Sequence, residues 1–200
     1  MSSLHYNPVR CAAEGCSNTA LTDSDHCWNH IADPSDYCRR LDPQHLRCAW
    51  LAGADLRGCN LEGANLEGAR LSGANLDSVN LRRANLRFAF LDGANLNRAD
   101  LTGANLEFAV LGGADISGAF LTGANLQRAN LVGTRGHRTN FADTNMYFSR
   151  PGNADLEGAT FAGANLQRAI FRRANLRGAN LQNTTGTANF ENANLEGVSQ

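Results

Sequence analysis

Three cysteines and one histidine near the N-terminus are the residues of this chain best suited to chemistry. The intervals between them are four, ten and two residues, in the order Cys11, Cys16, Cys27 and His30. These spacings suit a tetrahedral zinc site with three thiolate ligands and one imidazole. Gly15, just before the second cysteine, helps the backbone turn toward a metal. The segment is short and polar, so zinc would supply most of its folding free energy.

Neighbouring residues leave other ligand sets open. His26 lies beside Cys27 and could replace His30 as the imidazole ligand. Cys38 could displace one thiolate, and His5 is close in sequence. Free buried thiols or disulfides are the alternatives to a metal. A catalytic zinc needs an open coordination position, so four saturated ligands predict a closed structural site.

The segment after these cysteines has the start signals of a short helix. Asp33 is suited to cap the helix and Pro34 to occupy its first turn. Tyr37 and Leu41 are four residues apart and would share one face of the helix. Asp42 and the proline that follows it begin a further turn. We expect the helix to seal the first coil of the region that follows.

From about residue 46 the sequence repeats every five residues. Of the 27 positions at this spacing from Leu51 to Leu181, 25 hold Leu, Ile, Phe or Met, and only Gly136 and Pro151 break the series. The residue two positions earlier is Ala in 21 of the 27 cases. A period of five fits neither an α-helix nor a β-strand. The chain must therefore coil as a repeat architecture in which neighbouring repeats cover each other's apolar side.

The consensus Ala-(Asp/Asn)-Leu-X-X, as in residues 64–68, resembles the pentapeptide-repeat family. The resemblance implies an all-β solenoid, a right-handed quadrilateral parallel β-helix with one pentapeptide on each face and 20 residues in each coil. Residues 46–198 would form seven to eight such coils, roughly 35 Å long at ~4.8 Å per coil. Residues 1–32 would precede them as a zinc-binding module, and residues 33–45 as a helical N-terminal cap.

Departures from the consensus indicate which surface could bind a partner. With 20 residues in each coil, residues 20 apart stack in columns. Large apolar side chains at two outward positions then share one corner of the solenoid; they are Trp50, Phe88, Phe90, Phe108, Val110, Phe148 and Ile170. An apolar ridge on a polar solenoid marks a contact surface, so we expect a protein partner to bind there. Alternatively, the N-terminal segment covers the ridge, or the bulky residues only reshape turns. Arg128, Phe148 and Arg168 could stack as cation–π neighbours in any of these cases.

Two further irregularities lie nearer the C-terminus. Between Leu131 and Pro151, Thr and Ser replace Ala, and we expect a bulged face there, formed by a functional loop or by local drift of a redundant repeat. Its projecting side chains would be Arg135, His137, Arg138, Tyr147 and Arg150. Phe190, the next large apolar residue, lies nine positions after Leu181, one fewer than two repeats. An uncovered last coil would expose strand edges, so we expect end-to-end homodimerisation through Phe190, Leu195 and Val198.

Composition and motifs exclude several classes of function. All 18 basic residues are Arg, and from residue 46 onward 15 Arg face 13 acidic residues, so no strong overall field recruits nucleic acid. Phosphate-binding loops and nucleophile elbows are absent, and the carboxylates do not converge, which predicts a protein that is not an enzyme. Cys48 and Cys59 raise a thiol hypothesis, but Cys59 occupies an Ala position and should be buried and inert.

The remaining expectation is a rigid scaffold for protein–protein interaction with an unidentified partner. The alternative follows from the resemblance, because quinolone-resistance and mycobacterial members of the family act on DNA gyrase as duplex-like rods. The columns of this chain are mixed rather than acidic, which disfavours mimicry by charge. Direct nucleic-acid binding is the weakest option. No apolar run spans a membrane and no signal pattern is present, so the sequence predicts a soluble, cytoplasmic protein.

Overall fold

The computed structural model describes residues 9–17 and 20–200. Its helical elements all lie before the repeats. A 3₁₀ turn spans Trp28–His30, helix α1 spans Pro34–Arg40 and a second 3₁₀ turn spans Pro43–His45. The Asp33 carboxylate accepts a hydrogen bond from the backbone N–H of Asp36 at 3.1 Å, which confirms the predicted cap. His5 lies outside the described residues.

The repeats form a parallel β-solenoid with 20 residues in each coil. Bridges join residues 20 apart from Trp50 and Arg70 up to Asn165 and Thr185. Each pentapeptide supplies a single bridging residue followed by a two-residue turn, so among the described residues the sheets consist of isolated bridges rather than extended strands. Four pentapeptides complete one coil, which gives the solenoid its four sides.

The consensus Asn or Asp stabilises the turn that follows it. The Asn125 side-chain oxygen accepts a hydrogen bond from the backbone N–H of Gln127 at 3.1 Å, and the same contact recurs along the repeats. The Asn125 amide also donates to the side-chain oxygen of Asn105, one coil away, at 3.3 Å. Asn and Asp are favoured in turns because their short side chains bond to nearby backbone. The second consensus position therefore stabilises both the turn and the stacking of coils.

The interior is a continuous column of Leu, Ile, Phe and Ala side chains. From Leu61 to Leu111 every Leu of the column is completely buried. Inter-coil hydrogen bonds such as that from Leu71 N–H to the Phe90 carbonyl, at 2.7 Å, satisfy the backbone around it. Burying a large apolar side chain contributes about 1.5–3 kcal/mol, so the stacked column is the main source of stability.

The predicted bulge between Leu131 and Pro151 is wrong. This part of the chain keeps the regular coil, and bridges such as that between Asp115 and Arg135 keep the 20-residue spacing. The polar residues at the Ala positions are buried, and the threonine hydroxyls donate to backbone carbonyls; Thr139 bonds to Ile116 O at 2.7 Å. At Gly136 the neighbouring coils close in, since a Cβ there would lie 2.8 Å from Leu156 Cδ2. Regular coiling survives because the three threonines satisfy their own hydroxyl groups, whereas the buried hydroxyl of Ser149 has no hydrogen-bond partner among the described residues.

Pro151 has a smaller and local effect. Its ring nitrogen has no hydrogen to donate, and the bridge expected between Arg150 and Ile170 is missing from the ladder, although the bridges on either side are present. Nearby, Phe141 and Phe161 stack at 4.9 Å and Phe161 meets Phe171 edge-on at 5.5 Å. This aromatic cluster fills the interior of the last coils.

The last coil is shortened by one residue, as the sequence predicts. The bridge spacing falls from 20 residues at Asn165 and Thr185 to 19 at Ile170 and Asn189. The slip therefore lies between Thr185 and Asn189. Beyond it the coil has no cover among the described residues: Phe190 and Val198 are partly buried, and Leu195 is 40% exposed.

At the opposite end, helix α1 and the preceding segment cover the first coil. Tyr37 and Leu41 belong to the same buried cluster as Leu46. The Tyr37 hydroxyl donates to the Thr22 carbonyl at 2.8 Å. Backbone N–H of Thr22 in turn donates to the carbonyl of Trp50 at 3.0 Å. The N-terminal segment is thus hydrogen-bonded to the edge of the first coil.

Candidate metal centre and interaction face

The structure brings the four predicted ligands together. The Sγ atoms of Cys11, Cys16 and Cys27 and a ring nitrogen of His30 all lie within 4.8 Å of one another. Nδ1 of His30 is 3.4 Å from Cys11 Sγ and 3.5 Å from Cys27 Sγ. The sulfur atoms of Cys16 and Cys27 are 3.8 Å apart. Four potential ligand atoms therefore point at one centre.

Tight turns place these side chains. Gly15 adopts a φ of 73°, which glycine reaches without strain, and the N–H of Cys16 bonds to the Ala13 carbonyl at 3.1 Å. The 3₁₀ turn that follows Cys27 brings the N–H of His30 to the Cys27 carbonyl at 2.9 Å. Each pair of ligands, Cys11 with Cys16 and Cys27 with His30, is thus joined through a hydrogen-bonded turn.

The thiol of Cys11 has a shifted pKa. Burial raises it, but hydrogen bonds from the backbone N–H groups of Cys27 and Ala13, together with side-chain contacts to His30 and Cys27, outweigh burial and lower the pKa to about 6. These contacts stabilise negative charge on sulfur. A thiolate at this position is the form that ligates metals.

The alternative ligands lie elsewhere. Nδ1 of His26 pairs with the Asp25 carboxylate at 2.5 Å. Cys38, on helix α1, is disulfide-bonded to Cys59, with 5.1 Å between their Cα atoms. Cys59 is buried as expected, but the expectation that it is inert is wrong, because it forms this disulfide. Cys59 does occupy a buried Ala position, but helix α1 lies over that coil and brings Cys38 against it.

The second candidate site is one side of the solenoid. We call it the aromatic face; it consists of the pentapeptides that begin at residues 46, 66, 86, 106, 126, 146 and 166. Large apolar side chains occur here at the turn position, two residues after the interior Leu, and at the bridge position, four residues after it. Phe88 and Phe90 are 43% and 37% exposed, and Ile170 is 38% exposed. The other predicted ridge residues, Trp50, Phe108, Val110 and Phe148, are partly exposed.

The side chains of the turn column form a continuous stack. The rings of Phe88 and Phe108 are nearly parallel, with centroids 5.1 Å apart. The Arg128 guanidinium lies 5.3 Å from the Phe108 ring and 6.0 Å from that of Phe148. The Arg168 guanidinium, one coil further along, lies 5.0 Å from the Phe148 ring. The expected cation–π stacking is present and extends over five coils.

A parallel stack occupies the bridge column. The Arg70 guanidinium lies 5.3 Å from the ring of Trp50 and 5.0 Å from that of Phe90. Cation–π contacts of this kind contribute about 0.5–1 kcal/mol each at exposed sites. Arginine and aromatic side chains therefore support one another along both columns of the face.

The aromatic residues of the turn column have a strained backbone conformation. Phe88, Phe108 and Phe148 have φ angles of 56°, 60° and 57°, in the left-handed region, where glycine holds 14 of the 28 turn positions from residue 48 to residue 183. A side chain with a Cβ costs roughly 1–2 kcal/mol in this conformation. Arg, Ser, Asp and Asn residues carry the same strain at turns on the other sides, so strain alone does not distinguish the aromatic face. The aromatic residues thus occupy the turn despite a penalty that glycine would avoid.

The N-terminal segment covers only one end of the face. Trp50 donates its backbone N–H to Oγ1 of Thr22 at 2.7 Å, and its side chain lines a cleft with Trp28. Among the described residues, no such contact reaches Phe88 or the coils beyond it. Intramolecular cover therefore explains Trp50 and leaves most of the ridge open.

The residues expected to project between Leu131 and Pro151 lie on three different sides. His137 pairs with Asp155 at 2.6 Å, and Arg135 pairs with Asp115 at 3.4 Å. Burial raises the pKa of Asp155, but hydrogen bonds from His137 and Asn175 outweigh it and leave the pKa below its ordinary value. These residues form no common loop.

Phe120, which the sequence analysis missed, is a lone apolar side chain 50% exposed on another side.

Comparison with known proteins bears on both candidates. The family profile of pentapeptide repeats matches in eight copies, over residues 45–87, 80–118, 119–150 and 152–185. This chain is a pentapeptide-repeat protein. The solved members of the family imply a right-handed coil for the solenoid. No curated protein sequence matches the chain.

Several solved pentapeptide-repeat proteins are similar to this one. HetL of the cyanobacterium Nostoc sp., which is involved in heterocyst differentiation regulation, is 37% identical over 79% of this chain and 73% of its own, with a TM-score of 0.76. Rfr23 from the cyanobacterium Cyanothece is 28% identical over 65% of this chain and 86% of its own, with a TM-score of 0.40. QnrB1, a plasmid-mediated fluoroquinolone resistance protein, is 20% identical over 79% of this chain and 86% of its own, with a TM-score of 0.37.

The family match begins at residue 45, so the Cys/His cluster lies outside it. Among the described residues no helix has the length and apolar character needed to cross a bilayer.

Proposed function

We propose that this pentapeptide-repeat protein is a non-enzymatic scaffold that binds a protein partner along its aromatic face. The observation that supports the proposal is the exposed stack of rings and guanidinium groups, built on turns whose backbone is strained. What sets this face apart is the residue type, because the phenylalanines at turn positions, Phe88, Phe108 and Phe148, all lie in its turn column, whereas the non-glycine turns on other sides hold Arg, Ser, Asp or Asn. Retaining bulky side chains there is expected if they contact another molecule.

The interior supports the same function. From Leu61 to Leu111 the central column is completely buried and leaves no space for a substrate. The described carboxylates lie on outward positions, several in exposed pairs with Arg such as Arg57 with Asp55 at 2.6 Å. A rigid rod without an enclosed pocket is suited to presenting a surface.

Recovery of the partner on immobilised protein tests this function. We compare the wild type with F88G/F108G and with R83G/R173G. The control pair changes bulky residues to glycine at the same turn position on other sides, where φ is 56° and 57°. We expect one or more proteins to be retained by the wild type and by R83G/R173G but lost with F88G/F108G. Equal retention by all three proteins would contradict the proposal.

The alternative, modulation of DNA gyrase, has its own assay. The side of the solenoid that contains Asp55, Asn75, Asn95 and Asp115 also contains Arg135, so its charge is mixed. A supercoiling reaction with and without micromolar protein distinguishes the two functions. Inhibition or protection of gyrase that survives F88G/F108G would favour the alternative over the scaffold.

We also propose that the Cys/His cluster binds a structural zinc ion. At Zn–S distances of ~2.3 Å and Zn–N distances of ~2.0 Å, a tetrahedral site places sulfur atoms ~3.8 Å apart and sulfur and nitrogen ~3.5 Å apart. The separations of 3.8 Å between Cys16 and Cys27, and of 3.4 and 3.5 Å from His30 to Cys11 and Cys27, fit these values. Bound zinc would hold the loops that lead into the N-terminal cap.

The last coil supports a third proposal, end-to-end dimerisation through Phe190, Leu195 and Val198. Phe190 stacks on Phe171 at 5.2 Å on its inner side, while Leu195 remains 40% exposed. A second copy would bury this edge, as proteins commonly do with open strand edges.

A further inference from the structure

Charge is unevenly divided among the four sides of the solenoid. The aromatic face has six arginines, at positions 47, 70, 87, 128, 150 and 168, against two glutamates, at positions 67 and 107. The side that follows it along the chain has five acidic residues and three arginines, and on each of the other two sides positive and negative residues are equal in number. The net charge of the repeat region is therefore near zero, although one of its sides has a surplus of four positive charges.

The two glutamates of the aromatic face are already paired. Glu67 contacts Arg47 at 3.4 Å and Glu107 contacts Arg87 at 2.9 Å. The remaining four arginines, Arg70, Arg128, Arg150 and Arg168, have no carboxylate within ion-pair distance among the described residues. All four are exposed. Their charge is therefore available to another molecule.

Aromatic rings hold three of these guanidinium groups in position to bind carboxylates. Rings flank Arg70 and Arg128 on two sides and Arg168 on one, at 5.0–6.0 Å. Rings against the flat surface of a guanidinium leave its N–H edge unpaired, and that edge matches a carboxylate in a bidentate manner. Because the side chains are held by their neighbours, less conformational entropy is lost on binding.

We propose that the partner binds the aromatic face through an acidic segment, whose Asp or Glu carboxylates pair with Arg70, Arg128 and Arg168. This inference rests on the proposed scaffold function and specifies the chemistry of the partner. The apolar residues between the arginines, such as Val110, would contact the uncharged side chains of the same segment. The partner is thus a polypeptide in which acidic and apolar residues are interspersed.

Single-stranded nucleic acid fits the same face less well. Such ligands stack their bases on open aromatic surfaces. Here the Phe108 ring lies between Phe88 and Arg128, and the Phe148 ring lies between Arg128 and Arg168. Both surfaces of these two rings are therefore occupied and cannot stack with bases.

The spacing of the arginines sets the length of a suitable probe. Arg70 and Arg168 are five coils apart, or ~24 Å at ~4.8 Å per coil, which an extended chain spans with about seven residues at ~3.3 Å each. A twelve-residue peptide of alternating Glu and Ala, labelled with fluorescein, is long enough to reach all three guanidinium groups. The same peptide with Gln in place of Glu controls for charge.

Fluorescence anisotropy with these peptides tests the inference. The test variant is R128Q/R168Q and the matched control is R83Q/R173Q, which removes the same charge from the same turn position on other sides. We expect the Glu peptide to bind the wild type, with its Kd raised about fivefold or more in R128Q/R168Q and less than about twofold in R83Q/R173Q. The Gln peptide should bind at least tenfold more weakly than the Glu peptide.

Three results would overturn the inference. They are no binding of the Glu peptide to the wild type, an equal loss in both double variants, and tighter binding of a twelve-nucleotide oligothymidine that R128Q/R168Q abolishes. The retention experiment separates this inference from the scaffold function. If a protein is lost with F88G/F108G but is neither displaced by the Glu peptide nor weakened by R128Q/R168Q, only the acidic chemistry is wrong.

Discussion

Replacing Phe108 by glycine separates the two roles that a turn residue could have. Glycine relieves the strain at a φ of 60°, which contributes roughly 1–2 kcal/mol of stability. Against this, the variant loses the stack with Phe88 and the cation–π contact with Arg128, about 0.5–1.5 and 0.5–1 kcal/mol, and about 0.5–1 kcal/mol of backbone entropy. At central values these terms leave a net loss of about 1 kcal/mol, so we expect the free energy of unfolding to fall by no more than about 2.5 kcal/mol.

A core substitution provides the reference for this measurement. Phe161 is completely buried and stacks on Phe141, so Phe161→Ala should cost about 3–5 kcal/mol. Urea unfolding followed by circular dichroism compares the two variants with the wild type. A loss of more than about 3 kcal/mol in Phe108→Gly would show that the ring stack is chiefly structural. A gain in stability with unchanged partner binding would show that Phe108 has no functional role.

The remaining predictions concern the two ends of the molecule. Purified protein should contain one zinc ion per chain, and a chelator should remove amide-exchange protection from residues 9–17 and 20–30 while the repeats keep theirs; protein that retains no zinc would contradict the metal site. The double variant C38S/C59S should be about 3 kcal/mol less stable than the oxidised wild type, because the disulfide closes a loop with a sequence separation of 21. A reductant should lower wild-type stability to the same level, and an unaffected wild type would exclude the bond. In sedimentation, the wild type should dimerise at micromolar concentration and Leu195→Arg should remain a monomer; a monomeric wild type would refute the dimer.

The sequence predicts the repeat well because its interior positions recur with few exceptions. The four-sided coil came from the family resemblance, and the bridges between residues 20 apart agree with it. The structure of the run from Leu131 to Pro151 is harder to predict from the sequence, because Thr at the Ala positions suggests a bulge. In the structure the Thr144 hydroxyl bonds to the Phe141 carbonyl at 2.7 Å, so a buried polar residue fits the regular coil.

For the candidate sites, short-range spacing in the sequence predicts which residues come together, but contacts between residues far apart in the sequence cannot be predicted from it. The Cys/His cluster was predictable because its turns are short and its intervals are typical of metal ligands. The pairing of Cys38 with Cys59 depends on where helix α1 packs, which no local pattern encodes. The surplus charge of the aromatic face is likewise invisible in the composition, since it emerges only when residues are sorted by side of the solenoid.

Site-specific photo-crosslinking in cells of the native organism tests the central claim most directly. A photoreactive amino acid replaces one bridge-position residue on each of two sides, Val110 on the aromatic face and Asn125 on a different side. The scaffold proposal predicts a discrete crosslinked protein from position 110 that is lost when Phe88 and Phe108 are changed to glycine, and none from position 125. Equal crosslinking from both positions, or none from position 110, would contradict the claim that the aromatic face binds the partner.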